Sequence, residues 1–391
     1  MISLSSLRRM LATSALALSA TAGAQSSNLQ SVAHNLVRAG LVKAGDKVLI
    51  SGSVRDAALL EAIAVETMKV GADPLISIWS DRLTRRSYDE VPASFDNVTS
   101  EVGKLIVENF DVQIALDIAE GEGVLAGVPV ARIAARNKAA QPINDAYFKR
   151  NLRTVNLGNG LYPTTSTSRR LGVNQSALAS LFWRAASVNP ASLRTRGEAL
   201  RQKFAQGKVV TLTTPNGTNI TFAVDVNRAL ISDGALTADR VKQGSAAATT
   251  WLPAGELIVP AANGSANGKI VVDRLLWDGR IIRGLTLDFK DGVLESMTAA
   301  NDMSRLKAAY DAATGSKDRF GFVDIGLNPE TRLPLGSGRI VWTAPGSVTI
   351  GVGDNRAFGG TNSSDFGFPA QLGDATLKVD GTSVVANGRL R

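Results

Sequence analysis

A glycine-rich segment near the C-terminus carries the residues whose types and spacing best suit chemistry. It reads GVGDNRAFGGTNSSDFGFP over residues 351–369 and contains three charged side chains, Asp354, Arg356 and Asp365. Carboxylates can hold a cation or move a proton, and a guanidinium can bind a substrate carboxylate through two parallel hydrogen bonds. A Gly-Asp-Asn turn also satisfies its own backbone through side-chain oxygens, so a purely structural loop is the alternative.

The composition limits the chemistry that this segment can support. The chain has no cysteine, which excludes disulfides, thiolate catalysis and cysteine-ligated metals. Its one histidine, His34, falls in the helical pattern SVAHNLVRAG, and the chain has no G-x-S-x-G motif to pair with it. A histidine ligates metal only together with partners. We therefore expect His34 to be a structural or surface residue.

The N-terminus, MISLSSLRRMLATSALALSATAGAQ, has the three parts of a secretory signal peptide. Arg8 and Arg9 form a basic start, an apolar stretch continues to about Leu18, and small residues precede Gln25. The apolar stretch is too short to serve as a membrane anchor that spans a bilayer. We therefore predict a signal peptide over residues 1–24 and a periplasmic or secreted mature protein.

The charge pattern bears on the partners of the protein. Removing the predicted signal peptide, which holds two arginines and no acids, lowers the net charge from +8 to +6. The remaining charges are interspersed, so we expect no nucleic-acid partner. No later apolar run is long enough to span a bilayer, so we expect no membrane association after cleavage.

The first part of the mature chain, residues 25–150, alternates helix and strand patterns. DKVLISGS, PLISIWS and VQIALDIA read as strands, and RDAALLEAIAVETMKVGA reads as a helix between them. This alternation predicts an α/β domain with a mainly parallel, doubly wound sheet. Ligands of such sheets lie beyond the carboxyl ends of the strands. The polar residues expected there are Ser51, Ser53, Asp81, Glu120 and Glu122.

The second part, residues 151–391, predicts a β-rich α+β domain that carries the presumed site. TVNLGNGLYPTTSTSRRLG reads as a strand followed by a polar loop, and two helices follow it. Hairpins are predicted to turn at Asn216–Gly217 and at Asp380–Gly381, where the residue pairs suit tight turns. GELIVPAANGSANGKIVVD and IIRGLTLDFKDGVLESMTA read as further hairpins, and MSRLKAAYDAAT reads as an isolated helix.

Stretches of both parts resemble one protein family. They are LVRAGLVKAGDKVLISGS, NLGNGLYPTTSTS, TTPNGTNITFAV, WLPAGELIVPAANGSANGKIVVD, GFVDIGLNPETR, GSVTIGVGDNRAFGGTNSSDFGF and TLKVDG. In this order they resemble the aminopeptidase T and leucyl aminopeptidase group, metallopeptidase family twenty-nine. The resemblance implies a C-terminal domain with two divalent metals, a homodimer, and hydrolysis of the first peptide bond of a peptide by a metal-activated water.

The resemblance also implies positions for the metal ligands, and most of these positions do not bear ligands here. Glu256, in LPAGE, matches an acid of the family. The other acids and histidines of the family fall on Phe322, Thr349, Gly367 and Pro369. Asp324 lies two residues beyond Phe322, on the same face of a strand but about 6–7 Å further along. We therefore predict a divergent member in which Glu256 and Asp324 are the remaining candidate metal ligands.

The identity of the metal that this site would bind depends on which ligands of the family it retains. If the family chemistry survives, the metal is zinc, cobalt or manganese, which suit imidazole and carboxylate ligands. Zinc sites hold at least three protein ligands, so Glu256 alone cannot build one. An all-oxygen set would suit calcium, magnesium or manganese. Its candidate donors are Asp324, Asp354, Asp365, Asn355 and Asn263.

Three functions stay open at the level of the sequence. The first is an exported aminopeptidase-like protein with a degenerate metal site, whose candidate catalytic residues are Glu256, Asp354, Arg356 and Asp365. The second is a non-catalytic binding or scaffold protein on the same fold, which binds a peptide or other small molecule. The third is an enzyme of another reaction class that uses the same cleft, with Tyr162 among its polar groups.

Overall fold

The computed structural model describes residues 29–118, 121, 123–333 and 341–391. The predicted signal peptide lies outside the described residues, and so do Glu120 and Glu122. Within the described part of the chain, no helix is both long enough and apolar enough to cross a membrane.

Five strands form the first sheet, in which every pairing is parallel. They are β1 (Lys47–Ser53), β2 (Asp73–Trp79), β3 (Val112–Leu116), β4 (Arg153–Leu157) and β8 (Thr249–Leu252). Their order is β2–β1–β3–β4–β8. The predicted α/β fold with a parallel sheet is therefore confirmed. Strands β4 and β8 come after residue 150, so the sheet extends past the domain boundary predicted there.

Helices connect these strands, and their starts follow from capping residues in the sequence. The described part of α1 covers 29–39. Ser80 and Ser100 accept hydrogen bonds from backbone N–H groups in the first turns of the helices that follow them. The helices of this region after α1 are α2 (Ala57–Lys69), α3 (Asp81–Asp89), α4 (Glu101–Asn109) and α5 (Val130–Arg150).

The segment after β4, predicted as a polar loop, contains a helix, α6 (Thr165–Leu171), so that prediction was wrong. The Thr164 hydroxyl accepts a hydrogen bond from the N–H of Thr167 and starts the helix. Gly172, at a φ of +69°, ends it in the left-handed conformation that glycine adopts freely. The later helices are α7 (Gln175–Ala186), α8 (Pro190–Ala205), α9 (Ala238–Gln243) and α10 (Ser304–Ala312).

The second sheet has eight antiparallel strands. They are β5 (Val210–Thr213), β6 (Asn219–Phe222), β10 (Asn267–Trp277), β11 (Arg280–Lys290), β12 (Val293–Thr298), β16 (Thr376–Val379), β17 (Thr382–Ala386) and β18 (Arg389–Leu390). Their order is β12–β11–β10–β6–β5–β16–β17–β18. The predicted hairpins β5–β6, β11–β12 and β16–β17 are present.

The third sheet has five antiparallel strands and carries the candidate site. They are β7 (Leu230–Ser232), β9 (Glu256–Pro260), β13 (Phe320–Gly326), β14 (Val348–Gly353) and β15 (Gly367–Leu372), in the order β15–β14–β13–β9–β7. The hairpin predicted between β9 and β10 does not form. All five residues of β9 are buried, and β9 pairs on both edges within the third sheet, whereas β10 belongs to the second.

The two faces of the third sheet have different roles, because side chains alternate along a strand. Leu257, Val323 and Ile350 point from neighbouring strands into the large apolar core that includes residues of the second sheet. The alternate residues point to the opposite face, which we call the site face. Glu256 and Asp324 belong to it.

Candidate functional site

The strand register of the third sheet gathers the positions at which the family resemblance implies metal ligands. Residues directly opposite on neighbouring strands share a face of the sheet. Asp324 lies opposite Thr349, and Phe322 lies opposite Gly351, which in turn lies opposite Pro369. The site face therefore includes the positions Glu256, Phe322, Asp324, Thr349, Gly367 and Pro369.

An aromatic ring occupies this face where the resemblance implies an acid. The Phe322 side chain is buried, and its Cε1 lies only 2.0 Å from the point that a Cβ of residue 351 would occupy. Position 351 is glycine, which leaves room for the ring. Phe322 packs with four other buried residues into an apolar cluster that we call the apolar plug. The plug consists of Leu230, Ala246, Ala247, Ile258 and Phe322.

Glu256 is the first residue of β9, and its side chain is buried in a mostly uncharged environment. Its side chain accepts weak hydrogen bonds from Asn159 Nδ2 at 3.3 and 3.4 Å, and the same amide donates to the carbonyl of Pro253 at 2.9 Å. Burial raises the pKa of Glu256 to about 7, and the hydrogen bonds from Asn159 oppose this rise. The carboxyl is therefore partly protonated near neutral pH.

Asp324 is buried beside Glu256 with fewer partners. Burial raises the pKa of Asp324 well above its ordinary value, and the charge of Glu256 raises it further. Its Oδ1 and the hydroxyl of Thr349, which lies opposite it, have no hydrogen-bond partner in the described part of the chain. No lysine, arginine or histidine of the described ranges forms an ion pair with either acid. The two groups thus form a buried acid pair that favours protonation.

The residues present do not fit the metal pair implied by the family. Among the described residues, no group of three or more histidine, cysteine or acidic side chains could hold a metal ion. The acids of the all-oxygen alternative, Asp324, Asp354 and Asp365, do not form one such group either.

A cleft of about 420 Å³ opens beside the apolar plug. One wall is a face of α5, on which Asn137, Gln141, Asn144 and Phe148 recur at helical spacing. The opposite wall comes from the glycine-rich segment, mainly from its residues 364–369. Phe322, Gly367 and Pro369 line the cleft, but Glu256 and Asp324 do not. Three of the four replaced ligand positions therefore line the cleft, and Thr349 is the exception.

Asp354 and Arg356 stabilise the glycine-rich segment itself. Asp354 accepts hydrogen bonds from the N–H of Arg356 at 3.1 Å and from the N–H of Ser364 at 3.0 Å. The Arg356 guanidinium donates to Asp354 at 2.7–2.8 Å, to Asp145 and to Gln141. Its Nε and both terminal nitrogens already have partners, so a bidentate clamp on a substrate carboxylate would have to break these bonds.

The other predicted site residues lie in three separate places. Asp365 lines the cleft and accepts hydrogen bonds from the N–H and hydroxyl of Thr314 at 2.6 and 3.3 Å. Tyr162 is buried near the first sheet, where its hydroxyl donates to Asp56 at 2.8 Å. His34 is largely exposed, and its Nδ1 lies 3.3 Å from Glu66. Neither Tyr162 nor His34 lines the cleft.

The two other candidate oxygen donors, Asn355 and Asn263, make contacts unrelated to a metal centre. Asn355 is buried, donates to the carbonyl of Gly321 at 2.8 Å and accepts from the N–H of Asn362 at 2.8 Å. Asn263 lines a different pocket, together with Asp225 and Arg228. The side chain of Asn355 is therefore occupied by backbone contacts, and Asn263 belongs to another pocket.

The wall formed by α5 was not predicted from the sequence. Asn137, Gln141 and Asn144 follow one another at spacings of four and three residues in NKAAQPINDAYF. Such spacing places polar side chains on one face of a helix. This spacing was the signal from which the polar wall could have been predicted. Asn159, the partner of Glu256, follows a strand in a glycine-flanked turn and has no comparable signal.

Comparisons with known proteins agree with this architecture. The family model described as thermophilic metalloprotease (M29) matches residues 25–328. No curated protein sequence matches the chain. Among solved structures, wild-type AmpT from Thermus thermophilus is similar, with a TM-score of 0.68, 16% identity, and coverage of 93% of this chain and 99% of that chain. The 2,5-dihydroxypyridine dioxygenase of Pseudomonas putida KT2440 is also similar, with a TM-score of 0.57, 12% identity, and coverage of 94% and 97%.

Proposed function

This chain belongs to the M29 family of thermophilic metalloproteases, and we propose that it is a binding protein on the aminopeptidase fold. Its ligand is a small molecule or short peptide held in the cleft beside α5. In this proposal the two-metal hydrolysis implied by the family is absent. The observation that carries the proposal is the buried Phe322 ring at a position where the family resemblance implies a ligand acid.

The acid pair supports the same proposal. Glu256 and Asp324 lie on the site face but not in the cleft, so they do not meet a ligand bound there. A cation on this face would lack a third acidic or imidazole ligand among the described residues.

An enzyme of another reaction class is the second candidate. The similar structure from Pseudomonas putida is named as a dioxygenase, so this fold also occurs in proteins named for a reaction other than peptide hydrolysis. In this chain the charged groups that line the cleft, Asp354, Arg356 and Asp365, have hydrogen-bond partners within the protein. Turnover of a substrate that is lost in Asp365→Ala would support this candidate over binding alone.

We also propose export and a homodimer. The predicted signal peptide over residues 1–24 supports export to the periplasm or medium. The exposed apolar side chains of β2, at the edge of the first sheet, support a homodimer.

The test of the proposal combines metal analysis with an assay of peptide-bond hydrolysis. Protein purified without chelators is analysed for metal, then incubated with Zn²⁺, Co²⁺ or Mn²⁺ and aminoacyl amides. We expect less than one metal ion per chain, no change in metal content in Glu256→Gln, and no hydrolysis above the level of that variant. One or two metal ions per chain, with hydrolysis that Glu256→Gln abolishes, would overturn the proposal.

A further inference from the structure

We propose that a second pocket, separate from the cleft, binds a small zwitterion, a molecule such as a free α-amino acid that carries a carboxylate and an ammonium group close together. The pocket has a volume of about 420 Å³, within the range of about 300–1,000 Å³ that is usual for ligand pockets. No described residue lines both this pocket and the cleft. The inference goes beyond the proposed function, and two opposite charges in the lining carry it.

The positive charge of this lining is that of Arg228, whose guanidinium is held at one edge by the backbone. Its Nε donates to the carbonyl of Gly359 at 2.7 Å, and its Nη2 donates to the carbonyl of Gly360 at 3.2 Å. Both acceptors are neutral, and no acid of the described ranges forms an ion pair with Arg228. A guanidinium has five N–H groups, so three of them remain to bind a ligand carboxylate.

The negative charge of the lining is that of Asp225, which is half-buried. Its Oδ1 accepts a hydrogen bond from the N–H of Asn227 at 3.2 Å, and its own N–H donates to the carbonyl of Pro260 at 2.8 Å. These bonds fix the position of the residue but leave its charge uncompensated. Its Oδ2 has no hydrogen-bond partner in the part of the chain that the structure describes, so it can accept from a ligand ammonium group.

The spacing of the two charges suits a ligand that carries both signs. The N–H of Arg228 donates to the carbonyl of Asp225 at 3.2 Å, and side chains three residues apart across such a bond lie on the same side of the chain. The two residues form no ion pair with each other, because the guanidinium is directed to the two glycine carbonyls. Asp225 disfavours an anion here and Arg228 disfavours a cation, whereas a zwitterion satisfies both. The charged groups of an α-amino acid flank a single carbon, which suits this short spacing better than the distant ends of a peptide.

The rest of the lining indicates the side chain of this amino acid. Its apolar part consists of Val224, Pro260, Ala261 and Ala262. The N–H groups of the two alanines already donate to carbonyls within the protein, so their small side chains are what they offer a ligand. An aliphatic group gains free energy when it leaves water for such a surface. We therefore expect an amino acid with a small aliphatic side chain, such as valine.

The test compares three probes that share one aliphatic group and differ in charge. L-Valine is the zwitterion, L-valinol lacks its carboxylate, and 3-methylbutanoate lacks its ammonium group. Isothermal titration at low salt should show valine binding at least about ten-fold more tightly than either of the other probes. Asp225→Asn keeps an oxygen that can accept from the Asn227 N–H and removes the charge. This variant should weaken valine binding at least about five-fold and should not weaken binding of 3-methylbutanoate.

The controls separate this inference from the proposed function. Arg228→Gln should weaken binding of valine but not of valinol, and Asp239→Asn, which removes an exposed acid of α9 outside the pocket, should change no affinity. Equal affinity for the three probes, no binding of valine, or unchanged valine binding in Asp225→Asn overturns the inference. Valine binding that is weakened by Asp365→Asn instead would place the amino acid in the cleft, which overturns the second site and leaves the proposed function standing. Metal-dependent hydrolysis of aminoacyl amides overturns the proposed function alone.

Discussion

The acid pair on the site face makes the stability of this protein depend on pH through individual residues. Glu256 has a pKa of about 7 in the folded state, above the ordinary value of 4.5. A carboxyl group whose pKa is raised by folding stabilises the fold most when it is protonated. This contribution is complete below the unfolded pKa and is lost as the pH rises through the folded pKa.

We therefore expect the melting temperature to fall between pH 5 and pH 8, with Glu256 as a main cause. The shift of its pKa corresponds to about 3 kcal/mol of unfolding free energy, since one unit is worth about 1.4 kcal/mol. Calorimetry should show that Glu256→Gln is more stable than the wild type at pH 8. The melting temperature of this variant should fall much less than that of the wild type between pH 5 and pH 8. Glu198→Gln changes a solvent-accessible ion pair of α8. Its melting temperature should fall between pH 5 and pH 8 as much as that of the wild type. A wild-type protein that gains stability from pH 5 to pH 8 through Glu256 would indicate a bound cation instead.

At the residue scale, the sequence predicted local contacts but not distant ones. The Gly-Asp-Asn turn predicted that Asp354 satisfies nearby backbone, and it accepts a bond from the N–H two residues later. The partners of Arg356 on α5 could not be predicted, because Asp145 and Gln141 lie 211 and 215 positions away in the chain. The pKa of Glu256 likewise depends on burial, which the sequence does not reveal.

At the scale of the elements, α5 is held in place by charge more than by burial. None of its described residues is fully buried, and it contains Pro142 in its interior. Near its start, Arg132 and Arg136 both pair with Asp96, a buried acid that precedes α4. The hydrogen bond from Arg132 is the main cause of the lowered pKa of Asp96. One acid therefore anchors the helix that forms a wall of the cleft.

We expect Asp96→Asn to loosen α5 before it affects the sheets. The variant removes the charge that two arginines share, at a cost of about 1–3 kcal/mol. Hydrogen exchange in residues 130–150 should become faster, and ligand affinity in the cleft should fall. Glu101→Gln breaks an exposed pair with Lys104 and should leave exchange in α5 unchanged. Faster exchange throughout the first sheet would show that Asp96 supports the whole domain rather than this helix.

The elements themselves were largely predictable, while their partners were less so. The tight turns at Asn216–Gly217 and Asp380–Gly381 predicted hairpins that the structure contains, because a short turn determines which strands pair. The β9–β10 prediction was wrong, since the longer connection at 261–266 allows the chain to change sheets. Whether two strands pair across such a connection depends on packing elsewhere in the fold.

At the scale of the whole molecule, the first sheet ends in an edge that is unusually apolar. Strand β2 pairs with β1 on one side, and no other described strand pairs with it. Leu75, Ile76, Ile78 and Trp79 are between 37% and 50% exposed, and they alternate between both faces of the strand. Exposed apolar edges are normally covered, because their free N–H and C=O groups pair with other strands. We expect a second copy to cover this edge, since an antiparallel pairing of β2 with itself is symmetric.

We therefore expect a homodimer that a single charge on β2 disrupts. Ile78→Lys places one ammonium group from each copy in the apolar interface and should convert the dimer to a monomer in sedimentation velocity experiments. Leu276→Lys makes the same change at a side chain that is 39% exposed on β10, away from this edge, and should stay dimeric. A monomeric wild type, or a dimer that survives both substitutions, would exclude this edge as the interface. A dimer lost in both variants would indicate a general effect of the added charge, because only Ile78 lies on the edge of the first sheet.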